Sequence, residues 1–254
     1  MPGMTREECL RSVLANGSAI RFASAEHRDD KEIVLAAVAQ HGEALQHASA
    51  ALQADKDVVL AAVGSSGLAL ALVADDALRA DAEVVAAAVE RHGEALLFAD
   101  DSLRAHKPTV LLAVRKNGYA LEDALGGLRG DREVVLAAVG AHGCALRYAS
   151  EALRSDRGVV TAAVASNGHA LRFASASLRR CRPTVLTALR SRGQALGECT
   201  GDAAPLKADR EVVAVAVSQD GLALTYAELS LRGDAELVRL ACAQVGSVTG
   251  LGVL

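Results

Sequence analysis

The sequence predicts an all-α fold, an α-solenoid of about ten 25-residue repeats, each a helix, a turn and a shorter helix. Three observations predict it. The phrase "DREVVLAAVGAHG" at 131–143 has near copies at 30–42, 55–67 and 81–93. Glycines recur in register at Gly17, Gly42, Gly67, Gly93, Gly118, Gly143, Gly168, Gly193, Gly221 and Gly246. Their spacing is 25 residues, except for one residue added before Gly93 and three before Gly221. Finally, 51% of the 254 residues are hydrophobic but only 2% are aromatic, with no Trp. A core of Ala, Val and Leu requires elements that approach closely.

Each repeat opens on a capping residue. Asp30, Asp55, Asp81, Asp131, Asp156, Asp209 and Asp234 can accept from the first free helix N–H groups, and Thr5 takes this place in the first repeat. Acidic residues two positions later, such as Glu32 and Glu133, suit the positive end of the helix dipole. An apolar block follows, as in Val134 to Val139. The block alone reads as helix or strand; caps about eleven residues apart decide for a short helix. It is apolar nearly all round, so it must be covered on most sides. The recurring glycine is expected just past the helix end in a left-handed conformation. Asn16, Asn117, Asn167, His41, His92 and His142 precede it as helix-end residues.

A second helix is expected over G-x-A-L-x-x-A-S, as in "GCALRYAS" at 143–150 and "GHALRFAS" at 168–175. Ser24, Ser49, Asp100, Ser150, Ser175 and Thr200 then cap one further turn that carries a Leu, such as Leu52, Leu103 or Leu153. One such unit cannot bury its own apolar face, and stacking makes a continuous core. The expectation is a single domain over residues 1–254. Residues 5–29 serve as its N-terminal cap, because Glu8, Arg11 and Ser12 replace the Ile33, Ala36 and Ala37 of the next repeat. Residues 234–254 read as a degenerate C-terminal repeat.

The stretch "LRYASEALRSDRGVVTAAVASNGHALRFAS" at 146–175 resembles the repeat family called domain of unknown function 4116. The family's phrase is likewise an Asp-led apolar helix, an Asn-Gly or His-Gly stop and A-L-x-x-A-S-x-x-L. Its unit of about fifty residues would span two repeats here, and the resemblance extends over essentially the whole chain. It weakens where His106 and Cys181 replace the capping Asp. The resemblance implies no activity and offers no catalytic residues to carry over.

A net charge of −4 argues against general attraction to nucleic acid or anionic membrane. Cys9, Cys144, Cys181, Cys199 and Cys242 are scattered and form no CxxC pair, which suits buried thiols in a reducing compartment and not a zinc site. The first ten residues hold no apolar core of a signal peptide, and no apolar run reaches the roughly 18 residues a membrane span needs. A cytoplasmic protein without cofactor or metal is expected.

Four sets of residues invite a functional reading. Phe22, Phe98, Tyr148, Phe173 and Tyr226 share one repeat position. A stacking platform for bases would look periodic too, but packing in the core or between repeats is the better account. Arg79, Arg104, Arg129, Arg154, Arg179, Lys207 and Arg232 form a basic rail, interleaved in most repeats with capping Asp residues. Cys144 and His169 occupy equivalent places in adjacent repeats. As a nucleophile and base they would need a third orienting group and an oxyanion donor, so no catalytic residue is expected. The positions one and four after each glycine vary while the frame stays constant. Glu94, Tyr119, Glu122, Cys144, Arg147, His169 and Arg172 are therefore the candidate partner-binding residues. The expected function is a non-enzymatic scaffold that binds a protein or peptide on this repeated helix face. The alternative is a nucleic-acid-binding helical repeat that uses the Arg rail.

Overall fold

The computed structural model describes residues 4–249. The chain forms two compact units, one up to Leu128 and one from Arg129. The long helices of the first are α1 (Arg6–Ala15), α2 (Lys31–Gln40), α3 (Lys56–Ser65), α4 (Ala82–Arg91) and α5 (Lys107–Lys116). Those of the second are α6 (Arg132–Ala141), α7 (Arg157–Ser166), α8 (Arg182–Ser191), α9 (Arg210–Gln219) and α10 (Ala235–Thr249). The described residues contain no strand, and within each unit every long helix packs on the next, so both units are all-α solenoid stacks. Residues 250–254 of the expected C-terminal repeat lie outside the described residues. Before them, α10 runs on through Gly246, which therefore does not stop its helix.

The long helices start as the sequence predicts. Asp30, Asp55, Asp81, Asp131 and Asp209 each accept from the two backbone N–H groups at the second and third helical positions. Thr5 and Glu8 form a reciprocal capping box. His106 and Cys181 cap no N–H of their helices. In six of the long helices four apolar residues, such as Val134, Val135, Ala138 and Val139, are completely buried.

The second helix differs from expectation. It is a six-residue 3₁₀ helix, as at Gly143–Tyr148 and Gly168–Phe173. The pattern itself contains the reason. Gly143, Leu146 and Ala149 recur every three residues, and all are buried. A 3₁₀ helix has three residues per turn, so this spacing puts them in one line. An α-helix would spread them around its side.

The recurring glycines are also corrected. Left-handed backbone occurs at Gly126, Gly127 and Gly201, but not at Gly17, Gly42, Gly67, Gly93, Gly143, Gly168 or Gly193. These seven are required by close approach. A Cβ on Gly17 would lie 2.6 Å from the carbonyl oxygen of Ala37, and one on Gly93 2.5 Å from that of Ala113. Gly143 faces Ala163 in the same way, and Gly168 faces Ala188. Each glycine thus lets one repeat rest on the last turn of the next long helix.

Two further links join neighbouring repeats. A backbone hydrogen bond runs from Ser49 N–H to Arg28 O (2.9 Å), from Asp100 to Arg79 (2.9 Å) and from Ser175 to Arg154 (2.9 Å). An ion-pair ladder runs along the helix starts. Lys31 Nζ is 2.8 Å from carboxylates of both Asp55 and Asp57, and Lys56 binds Asp81 and Glu83 likewise. Arg6 bridges to Asp30 and Glu32, Arg182 to Asp209 and Glu211, and Arg210 to Asp234 and Glu236. The cation is the residue immediately after the capping Asp or its substitute. That periodic basic residue was visible in the sequence, but only the stacking shows that it reaches the next repeat.

Two predictions follow from this frame. Gly143→Ala should destabilise by about 2 kcal/mol or more, because its Cβ meets a backbone carbonyl that cannot move alone. Gly140→Ala, in α6 with nothing within 4 Å of its Cβ, should instead stabilise by about 0.5–1 kcal/mol. Chemical denaturation of the two variants measures both.

Acid should also weaken the ladder. Hydrogen bonds from Lys31 and Lys56 hold the Asp55 and Asp81 carboxyls below their ordinary range, and Arg6 does the same for Asp30. A depressed folded-state pKa contributes stability above the unfolded value of about 3.9, which is lost as pH falls through the folded value. The melting temperature should therefore be flat from pH 7 to about pH 5 and fall below about pH 4. Circular dichroism melts across that range check the sign.

Candidate interaction face

The candidate residues sit on the 3₁₀ helices. Positions one and four after the glycine are three apart, so in a 3₁₀ helix they eclipse on the side away from the buried Gly-Leu-Ala line. Asn or Asp at the helix end fixes how several of these helices begin. Asn117 Oδ1 accepts from Tyr119 N–H (3.0 Å), Asn167 Oδ1 from His169 N–H (3.1 Å), and Asp220 Oδ1 from Leu222 N–H (2.9 Å). These residues thus end one helix and cap the next.

In the first unit, Glu94 Oε1 accepts from Asn117 Nδ2 at 2.6 Å. Asn117 therefore ties Glu94 to the start of the helix that carries Tyr119 and Glu122. The same tie recurs between Glu43 and Ser66 (2.7 Å), and in the second unit between Gln194 and Asp220 (2.7 Å). Part of the variable row thus also secures one repeat to the next. Tyr119 and Glu122 are exposed, as are Leu68 and Leu97 of the same row. This stretch is apolar and acidic.

The second unit has a different character. His169 Nδ1 lies 3.0 Å from Glu198 Oε1, and Arg172 donates to the same oxygen at 2.6 Å. Arg147 lies over the Tyr148 ring at 4.9 Å and reaches the Phe173 ring at 5.9 Å; Arg172 approaches Phe173 from 5.9 Å. Cys144 is half-buried within the field of Arg172, Glu198, Arg192 and Arg147. The structure therefore brings Cys144, Arg147, His169 and Arg172 together around Phe173 and Glu198.

Sequence reasoning missed Glu198. Its signal was its place: it stands where neighbouring repeats carry Tyr148 and Phe173. The aromatic row itself is not sealed in the core. Phe22 is 48% and Tyr226 41% exposed, while Phe98, Tyr148 and Phe173 are half-buried under their own and neighbouring row residues. Glu198 also supplies the orienting group that a Cys144–His169 pair had lacked. However, burial pushes the Cys144 thiol up, away from thiolate. Cys199 is driven further, to about 11, for the same reason. Among the described residues no three His, Cys, Asp or Glu side chains converge as a metal site, and no helix is long and apolar enough to cross a membrane.

The basic rail runs along the turns before the long helices and mostly serves the chain itself. Arg104 Nε donates to Asp123 O (3.0 Å) and Arg232 Nε to Ala227 O (2.7 Å), closing carbonyls at 3₁₀-helix ends. Arg79 pairs with Asp76, and Arg104 with Asp101.

Fold and surface together define a helical-repeat protein whose repeats are bound by a constant frame and differ in their outward residues. The family model described as "Domain of unknown function (DUF4116)" matches residues 5–53, 55–104, 81–129, 107–154 and 131–179. The chain belongs to that family. From residue 55 onward the matches overlap in registers about 25 residues apart, in keeping with a structural repeat half the length of each match. No curated protein and no solved structure matches the chain.

One substitution probes how far a cap can stray. At Cys181, within the field of Arg157, the side chain caps no helix N–H, where other repeats place a carboxylate. Cys181→Asp should restore the cap and a carboxylate for Arg157, raising stability by about 1 kcal/mol in thermal melts.

Proposed function

We propose that this protein is a non-enzymatic cytoplasmic scaffold that binds a polypeptide segment through the outward residues of its 3₁₀ helices. The observation that supports this most is Arg147. It is exposed, stacked against two aromatic rings, and among the described residues carries no ion pair to a carboxylate. A guanidinium held in place this way loses little freedom when it meets an acceptor, and Arg and Tyr dominate interface energetics disproportionately. Cys144, His169 and Arg172 flank it with differing chemistry on a rigid frame, as suits recognition by a repeat protein. Glu94, Tyr119 and Glu122 offer a separate, apolar and acidic stretch in the first unit.

Nucleic-acid binding along the rail has less support. Arg79 and Arg104 are already paired with acids, and the chain is net negative.

The test is selection of peptides from a displayed random library on the full chain, followed by calorimetry of a selected peptide. Arg147→Ala should leave the melting temperature nearly unchanged and weaken that peptide by roughly 2 kcal/mol. Tyr119→Ala reports separately on the first unit. Peptides that bind the Arg147 variant as well as the parent would remove the second-unit face from the reading. Selection of no peptide would remove the scaffold reading altogether.

A further inference from the structure

The basic rail behaves differently at two neighbouring positions of the second unit. Arg28, Arg104 and Arg232 each donate from Nε to the carbonyl oxygen that ends a 3₁₀ helix: Ala23, Asp123 and Ala227. Arg154 Nε and Arg179 Nε are buried and have no hydrogen-bond partner among the described residues. The acids are gone as well. Arg79 and Arg104 pair with Asp76 and Asp101 three residues earlier, whereas Arg179 has Ala176 at that place. Arg154 has Glu151 there, but among the described residues the two form no ion pair like those of Arg79 and Arg104. Two adjacent guanidinium groups thus remain uncommitted. An unsatisfied buried donor is costly, and a charged one more so, so the position favours an acceptor supplied from outside.

Space for that acceptor exists. A cavity of about 240 Å³ is lined by Arg154, Ser155, Ser175 and Arg179, with Phe173 at its edge. A second, of about 260 Å³, is lined by Arg179, Thr200 and Gly201. Arg179 and Ala176 border both, so they form one groove with two chambers. Among the described lining residues, two guanidinium groups and several hydroxyls face one acid, Glu151. A planar carboxylate satisfies one fork. A phosphate monoester carries two charges near neutral pH and three acceptor oxygens, and can be gripped from both sides.

We propose that Arg154 and Arg179 form an oxyanion-binding groove for a phosphorylated Ser or Thr side chain of a partner polypeptide. This groove is distinct from the face around Arg147 and does not depend on it. Two features favour a phosphopeptide over RNA. The uncommitted cations are two neighbours, whereas a nucleic-acid track neutralises many phosphates. Further along the rail, Lys207 already donates to Gly197 O, and Arg232 to Ala227 O.

The test is a titration of the full ¹⁵N-labelled chain, following Arg side-chain Nε–H signals. The probes are inorganic phosphate, a phosphoserine hexapeptide, its unphosphorylated twin and an oligouridine. Phosphate at millimolar concentration should shift the signals of Arg154 and Arg179 first. The phosphopeptide should bind at least tenfold more tightly than its twin. Arg179→Gln should lose that preference at least tenfold, while Arg104→Gln keeps it. If the Gln variant fails to fold, Arg179→Lys retains the charge without the planar fork and should weaken the phosphopeptide several-fold. Shifts spread evenly over all arginines, or equal binding of both peptides, would overturn the groove. Oligouridine binding more tightly than the phosphopeptide would overturn the assigned ligand class.

Discussion

The contact on which the structure depends is a glycine resting on a carbonyl. In one repeat after another, the first residue of the 3₁₀ helix lies against the last-turn Ala carbonyl of the next long helix. That same carbonyl already accepts an N–H within its own helix: Ala37 from His41, Ala163 from Asn167. The approach therefore leaves no room for even one methyl group. It fixes how near neighbouring repeats come, and that in turn fixes the core. Small and aliphatic side chains, chiefly Ala, Val and Leu, fit between helices held this close, which accounts for a chain with so few aromatics and for the burial of the same four positions in most long helices. Large-to-small and small-to-large changes alike are poorly tolerated in interiors packed this way.

The parts legible in the sequence were those whose cause lies within one repeat. A capping Asp needs only the N–H groups two and three residues on, so Asp55 and Asp131 could be placed without knowing any neighbour. The buried Leu of the short turn was equally local. Features caused by the next repeat were misread or missed. The glycine was assigned to left-handed backbone, its commonest local use, because the Ala carbonyl that excludes a side chain lies about twenty residues away. The basic residue after the cap went unremarked, because its carboxylates are in the following repeat. The 3₁₀ geometry was available in principle: Gly, Leu and Ala recur at three, not three and a half or four.

The candidate face was legible as a set of positions but not as a set of bonds. Variation within the row suggested freedom. Yet Glu43 with Ser66, Glu94 with Asn117 and Gln194 with Asp220 are donor–acceptor pairs that change together from repeat to repeat. A position can vary and still be structural if its partner varies with it. Glu198 shows the converse. It breaks the aromatic register and collects two members of the row, His169 and Arg172, on one oxygen.

This separates the surface into groups that are committed and groups that are not. The ladder cations, the helix-end polar residues and most of the rail are engaged with the adjoining repeat or with their own carbonyls. Exposed pairs of this kind contribute only about 0–1 kcal/mol each, but they recur along the stack and neutralise charges that would otherwise be available to a ligand. The proposed recognition therefore falls where the repetition lapses. In the second unit the commitment of the cations lapses at Arg147, stacked on aromatic rings, and at Arg154 and Arg179, where among the described residues neither the preceding acid nor the capping carbonyl takes up the guanidinium Nε. In a frame this regular, an irregular side chain is the feature that the stack itself does not require, and the proposed binding surfaces are placed there for that reason.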